Sequence, residues 1–331
     1  MKRKKLIFLT LFIAVFCSVF CGFNTTKAYA DDSKTVLLGG IPAGFNIETR
    51  GAFVAGLTDV ITEDGVKSPS KDAGLNAGDV IYFINDIEVN NAKDIENALK
   101  TEKNTVEVEF NRCGNSFTVF IELAVDLSGD KKLGVFIRDD VSGIGTVTFI
   151  DGNKIATLGH PVIGEDEKLL SIKQGKIFGC NITGYIKGER GTPGELRGVI
   201  LKNNEIATID RNTECGIYGT LTSGFDSKNL PEIEIGEGKM GDAYIYTTIN
   251  GTAPEKYSIS IVKVDNLLSD TKNYVIKITD KRLLDTTGGI VQGMSGSPIV
   301  QDGKLVGAVT HVFISDPTRG FGISINNMIN K

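Results

Sequence analysis

The sequence predicts a mainly β protein of two folded units: a compact α/β unit over residues 36–123 and a longer, almost all-β unit over 125–331. Three observations carry this. At 331 residues and 41% apolar content, the chain is long enough to bury two cores. Its 39 Gly fall largely between short Val, Ile and Thr runs, while Pro is scarce at 8 and Trp is absent, which is the pattern of turn-rich β structure. Clear helical spacing occurs at Ala92–Thr101, where Ile95, Ala98 and Leu99 share one face.

The N-terminus reads as a targeting segment rather than as fold. Met1–Lys5 is basic, Leu6–Gly22 is apolar, and Ala28-Tyr29-Ala30 is a small-x-small cleavage signature. Residues 1–30 are therefore expected to be a cleaved export signal, with an uncleaved membrane anchor as the alternative. The bias of Lys2–Lys5 points the rest of the chain outward. The formal net charge is −5, and residues 1–30 hold five bases and no acid, so the chain without them is near −10. A nucleic-acid binder usually carries a basic footprint, and this balance argues against one.

In the first unit, Phe45–Leu57 reads as a strand region. Val80–Ile84 is a short apolar strand, Asn85-Asp86 a turn and Ile87–Val89 its continuation. Thr105–Phe110 alternates, with Val106, Val108 and Phe110 on one face and Glu107 and Glu109 on the other; Asn115–Glu122 follows as another strand. This order, with Ser70-Lys71-Asp72-Ala73-Gly74-Leu75-Asn76-Ala77-Gly78-Asp79-Val80-Ile81 and Ile84-Asn85-Asp86-Ile87, resembles a PDZ domain of the bacterial protease-associated kind. The resemblance implies a partly open α/β barrel that takes an extended peptide as an added strand. Gly44-Phe45-Asn46-Ile47 is the candidate loop for the peptide carboxylate, although it departs from the familiar Gly-Leu-Gly-Phe form.

The second unit is a succession of short β signals, with the polar stretch Ser128–Lys132 as a soft boundary. Ile144–Ile150 and Lys154–Leu158 flank the turn Asp151-Gly152-Asn153 as a hairpin. Val199–Leu201 and Glu205–Ile209 flank Lys202-Asn203-Asn204 as a second. Ile299–Gln301 and Leu305–Phe313 flank Asp302-Gly303 as a third. Ala243–Ile249, Tyr257–Val264 and Asn273–Ile278 alternate between them. Strands at this spacing suggest an antiparallel sandwich or barrel, and two packed barrels fit the length.

The chemistry centres on Gly293-Met294-Ser295-Gly296-Ser297-Pro298. This Gly-x-Ser-Gly-x-Pro resembles the loop that trypsin-like serine proteases build around their nucleophile. A Ser hydroxyl needs a base within hydrogen-bond reach, and the base needs an orienting carboxylate. Ser295 is the candidate nucleophile, and the Gly293 and Ser295 backbone N–H groups are candidates for an oxyanion hole. The chain has two His. His160 ends the Ala156–Leu158 strand and is the candidate base; His311 lies mid-strand and reads as sheet structure or cleft wall. Asp280 is the leading candidate acid, Asp285 the runner-up, and Asp166 and Glu165 are further alternatives. The order His160, Asp280, Ser295 is that of trypsin-like enzymes. Met294 stands where those enzymes hold the acid of zymogen activation, and Ser297 replaces a Gly and is expected to narrow the cleft. Beyond the signal segment, Cys113, Cys180 and Cys215 form no C-x-x-C pair; no metal site is read from the spacing, and no cofactor.

With these residues in place, Gly39–Lys331 resembles the stage IV sporulation protein B peptidases, through the PDZ stretch, Ala156–Pro161 and Gly288–Phe313. The resemblance implies that His160, Asp280 and Ser295 form the triad. It implies a double β-barrel serine endopeptidase, exported by the forespore into the space between its two membranes. It further implies that the enzyme cleaves itself and a membrane-associated regulator of an intramembrane metalloprotease, which activates a late sigma factor. Peptide ligands would bind through the PDZ domain. The competing reading is a non-enzymatic PDZ scaffold with an inactive protease-like domain.

Overall fold

The computed structural model describes residues 34–101, 103–164, 168–265 and 271–329. The expected signal at residues 1–30 and the alternative acids Glu165 and Asp166 lie outside them. Among the described residues, no helix is long and apolar enough to cross a membrane.

Two early strands set the architecture. Strand β1 is Thr35–Leu38, and β2 runs unbroken over Pro42–Leu57. The chain then builds β3 (Val60–Thr62), β4 (Gly65–Lys67), the short helix α1 (Pro69–Asp72), β5 (Val80–Ile84), β6 (Ile87–Glu88) and helix α2 (Ala92–Ala98). Strands β7 (Thr105–Arg112), β8 (Asn115–Glu122), β9 (Ala124–Val125) and β10 (Lys131–Lys132) complete this unit. The alternation read from the sequence holds: Val106, Val108 and Phe110 are buried while Glu107 and Glu109 are exposed. Asn91 caps α2, its side chain accepting from the Asp94 N–H at 2.8 Å. Ile95, Ala98 and Leu99 close over a core with Val54, Leu75, Ile81 and Ile121. Asp79, in the motif that suggested a PDZ domain, is fully buried and accepts a forked pair of bonds from Arg112 at 2.7 Å each.

Strand β11 (Val135–Asp151) carries the chain back alongside β2. After β12 (Lys154–Thr157), β13 (Ile172–Ile186), β14 (Glu195–Thr213) and β15 (Gly216–Leu221), a ring closes: β2 pairs β11, then β12, β15, β14 and β13, which pairs β2 again. Phe45, Ile47, Val147, Ile155, Ile177 and Ile217 fill this first barrel. Strand β16 (Glu232–Ile235) crosses to a second ring of β17 (Gly241–Thr247), β18 (Glu255–Val264), β19 (Tyr274–Ile278), β20 (Pro298–Gln301), β21 (Lys304–Phe313) and β22 (Asp316–Ser324). Its closure runs β17–β18–β19–β22–β21–β20–β17. Helix α3 (Lys281–Thr287) lies between β19 and β20, and α4 (Ile325–Ile329) follows β22. Tyr218 of the first barrel donates to the Met328 carbonyl at 2.9 Å and ties α4 down. The fold is thus mainly β, a PDZ-type unit with a double β-barrel, as the sequence predicts.

Three expectations need correction. Residues 36–50 do not open the PDZ unit. β1 pairs β11 and β16, and Ala43–Glu48 pairs both β11 and β13, so this stretch is barrel. The PDZ unit is an insertion between β2 and β11, which pass through both units as a two-stranded ribbon. The crossover lies where register slips, between Arg138 and Asp140, and where Gly51 takes φ +82°. Leu123 and Leu133 remain in the PDZ core, so that unit also extends past the boundary at 123–125. Lys202-Asn203-Asn204 is no hairpin turn, because β13 pairs residues on both sides of it in one direction; it is a bulge within β14. The other two hairpins hold, with Asp302 at φ +50° and Gly303 at φ +78° in the β20–β21 turn.

Candidate active site

The nucleophile loop follows from its glycines. Gly293 has φ +97° and Gly296 φ +91°, conformations that L side chains avoid. Between them, Met294 is fully buried in the second-barrel core, which anchors the loop and leaves Ser295 half-buried at the cleft. The loop is stapled to the first barrel by two buried threonines of β11. Thr146 donates its hydroxyl to the Gly293 carbonyl at 2.9 Å, and Thr148 donates to the Gly296 carbonyl at 2.8 Å. The Thr146 N–H also donates to the Ser295 carbonyl at 2.9 Å. These threonines went unnoticed in the sequence, where they read only as strand residues. Ser297 does not narrow the cleft. It is fully buried and donates back to the Met294 carbonyl at 2.6 Å.

His160 arrives from the other barrel. Leu158 (φ +67°) and Gly159 (φ +71°) turn the chain sharply after β12. A left-handed Leu is backbone strain, and such strain persists only where the surroundings impose it. Here they do: Leu158 is buried and the backbone around Gly296 packs directly on it. The turn sets His160 and Ser295 in one cavity of about 470 Å³, with Phe45, Ile144, Thr310 and His311 among its walls. The His160 Nδ1 is 2.8 Å from the Pro161 carbonyl, so Nδ1 carries the proton and Nε2 the lone pair. Burial pushes the His160 pKa down, against a smaller upward pull from that hydrogen bond. The ring packs against His311, centroid to centroid 4.9 Å. Desolvation first, then the neighbouring His160 and Lys272, push His311 down to about 4. His311 sits in the cleft wall, as the sequence suggested.

Two further placements matter. Among the described residues, neither the Gly293 nor the Ser295 N–H donates to a backbone or side-chain acceptor, whereas those of Met294, Gly296 and Ser297 do. Two donors in the nucleophile loop thus stand open. The Ser295 hydroxyl itself donates to the Thr310 carbonyl at 2.9 Å.

The acid lies differently from the expectation. Asp280 is the N-cap of α3, a helix not among the elements expected from the sequence. Its carboxylate accepts from the Ser258 N–H at 3.2 Å, the Arg282 N–H at 3.0 Å and the Arg282 guanidinium at 3.0 Å and 3.2 Å. The Arg282 bonds hold its pKa below the usual carboxylate range. No hydrogen bond joins it to His160. Asp280 before Leu283-Leu284, with Gly288 at φ +78° closing the helix, is a cap-to-cap frame that marks α3 in the sequence. Asp285 is exposed on the same helix, its backbone carbonyl taken by Lys187.

The Gly44–Ile47 stretch is no carboxylate loop: its backbone is paired on both edges and Phe45 and Ile47 are barrel core. The groove of the PDZ unit lies elsewhere. It is a cavity of about 540 Å³ between α2, through Ala92, Ile95 and Leu99, and the segment Leu133-Gly134-Val135 with Ile137. Gly134 has φ +75°, and β11 here pairs β2 on one edge only among the described residues. Leu-Gly-Val is the signal that a search for a Leu-Gly-apolar loop would have found.

No curated protein matches the chain. Among solved structures, the PDZ domain of an SdrC-like protein from Listeria monocytogenes is 19% identical, covering 25% of this chain and 87% of that one at a TM-score of 0.20. The Rv3671c protease of M. tuberculosis in its inactive form is 14% identical, covering 56% of this chain and 81% of that one at 0.35. Its active form is also 14% identical, covering 57% and 72% at 0.33. The sequence profile of the SpoIVB peptidase S55 family matches residues 129–329, more than half of the chain, and the protein belongs to that family of serine peptidases.

Proposed function

We propose that the protein is an exported serine endopeptidase in which Ser295 attacks the scissile carbonyl and His160 takes and returns the proton. The observation that carries this is the meeting of Ser295 and His160, 135 positions apart by their numbers, in one cavity between two barrels. The open Gly293 and Ser295 N–H groups are the oxyanion donors, each contributing on the order of 10²–10³ in rate. Past Val309, the β21 edge at the cleft has no strand beside it among the described residues, so an extended substrate adds there as a strand. A serine-directed fluorophosphonate probe tests the reading: covalent label on the Ser295 peptide supports it, and label absent from an otherwise folded protein favours the scaffold.

Asp280 is proposed as the acid that orients His160. For this, its bonds to Arg282 and the Nδ1 bond of His160 to Pro161 must both be exchanged when substrate binds. The Asp280→Asn variant is expected to lose on the order of 10³–10⁴ in kcat. Loss of thermal stability alone would leave Asp280 only the cap. The acid limb of the pH profile gives an independent reading. The neutral imidazole is the active form, and its pKa is depressed in the resting protein. The kcat/KM limb, which reports free enzyme, should therefore fall below pH 6.5. The Asp280 carboxylate, once bonded to Nδ1 in the substrate complex, should move the kcat limb upward from there.

The family and the resemblance support the wider role: self-cleavage, and a cut in a membrane-associated regulator that starts intramembrane proteolysis and late sigma-factor activation during endospore formation, in the space between the two forespore membranes. The α2–Gly134 groove is proposed to hold peptide segments of those substrates.

A further inference from the structure

The chain has two His, 151 positions apart by number, and the fold brings their rings together, tilted against each other, in the catalytic cleft. We propose that His160 and His311 together bind a borderline divalent cation, Zn²⁺ above all, and that the bound ion silences the peptidase. The geometry supports this first. An imidazole nitrogen sits about 2.0–2.1 Å from Zn²⁺, which puts each ring centre about 3.2 Å from the metal and two tetrahedrally disposed ring centres about 5.2 Å apart. The observed centroid separation is 4.9 Å, with the planes tilted by 39°.

The outer contacts agree. A metal-ligating His almost always donates its second ring N–H to a carbonyl or carboxylate, which fixes the tautomer. The His160 Nδ1 already makes that bond to Pro161 at 2.8 Å. No hydrogen bond occupies the His160 Nε2 or either His311 ring nitrogen among the described residues. The ligand lone pairs must be free of protons, so binding should strengthen as pH rises through the imidazole range. Water completes the coordination, with the Ser295 hydroxyl lining the same cavity.

Two imidazoles favour Zn²⁺ and Cu²⁺ over the oxygen-seeking Mg²⁺ and Ca²⁺. The consequence is direct: an ion on Nε2 occupies the lone pair that must accept the Ser295 proton. The binding half of this proposal stands on the two rings alone; the silencing half rests on the serine-peptidase reading.

The test is calorimetric titration of the untagged chain with Zn²⁺, in a Cys113→Ser background because Cys113 is an exposed thiol. His311→Gln, His160→Gln and Ser295→Ala are compared, each checked for native thermal unfolding. The expected result is one Zn²⁺ bound in the parent and in Ser295→Ala. Binding should weaken in both His variants by no less than the roughly 10–100-fold that loss of an outer-shell partner costs. Unchanged affinity in either His variant overturns the site. Fluorophosphonate labelling, scored for each protein against its own zinc-free rate, should stop in the parent at saturating Zn²⁺ and persist in His311→Gln; labelling unaffected by bound Zn²⁺ overturns the silencing. A parent that never labels, even without zinc, fails the serine-peptidase reading and leaves the calorimetry to decide the site.

Discussion

Replacing Ser295 by Ala is expected to abolish proteolysis and leave the fold standing, and the two magnitudes are far enough apart to separate. The Ser295 hydroxyl makes one hydrogen bond, to the Thr310 carbonyl at 2.9 Å, from a half-buried position. Losing such a bond costs about 1 kcal/mol of stability. Losing a serine nucleophile costs on the order of 10⁴–10⁶ in kcat, equivalent to about 5–8 kcal/mol of barrier. The loop itself does not depend on the hydroxyl, because Met294, Thr146 and Thr148 hold it from either side. Incubating the protein beside its Ser295→Ala twin and measuring intact masses gives the answer. Fragments in the parent and a whole chain in the variant are expected. Equal fragmentation in both would remove Ser295 from the chemistry.

What the sequence made legible divides by distance along the chain. The nucleophile turn is contiguous, so Gly293, Ser295 and Gly296 declare its sharp geometry locally, and both glycines do adopt left-handed φ. His160 was legible because the chain has only one other imidazole. The PDZ core was legible through alternation and one short helix. The misplaced start of that unit has a different origin. Ala43–Glu48 and Ala52–Val54 lie on one strand, and only non-local pairing with β13 assigns the first half to the barrel. No window along the sequence contains that partner. The Asp280 environment fails for the opposite reason. Its cap and its Arg282 partner are strictly local, but the helix they open is only seven residues long and is set between two strong β signals. Thr146 and Thr148 sit between these cases. Their side chains point inward as the strand period requires, yet their acceptors lie 147 and 148 positions away.

Gly296→Ala should inactivate the enzyme nearly as completely as loss of the nucleophile, for a structural reason. A Cβ at Gly296 would sit 2.1 Å from the Thr146 carbonyl oxygen and 2.5 Å from the Leu158 nitrogen, backbone atoms on both sides. Neither is the movable end of a flexible side chain. One carries the β11 staple, and the other begins the turn that sets His160. Relief therefore pushes the Ser295 loop and the His160 turn apart, and a displacement of about 1 Å between reacting groups already costs on the order of 10² in rate. The left-handed backbone adds about 1–2 kcal/mol of its own. Gly303→Ala isolates that second contribution, since Gly303 has φ +78° and open space around it. The expected pattern is a modest fall in Tm with full fluorophosphonate labelling for Gly303→Ala. For Gly296→Ala the fall is larger and labelling is lost, although Ser295 and His160 are both intact. Normal labelling of Gly296→Ala would mean that the two barrels tolerate separation at this seam, and that the strained Leu158–Gly159 turn holds His160 without support from the nucleophile loop.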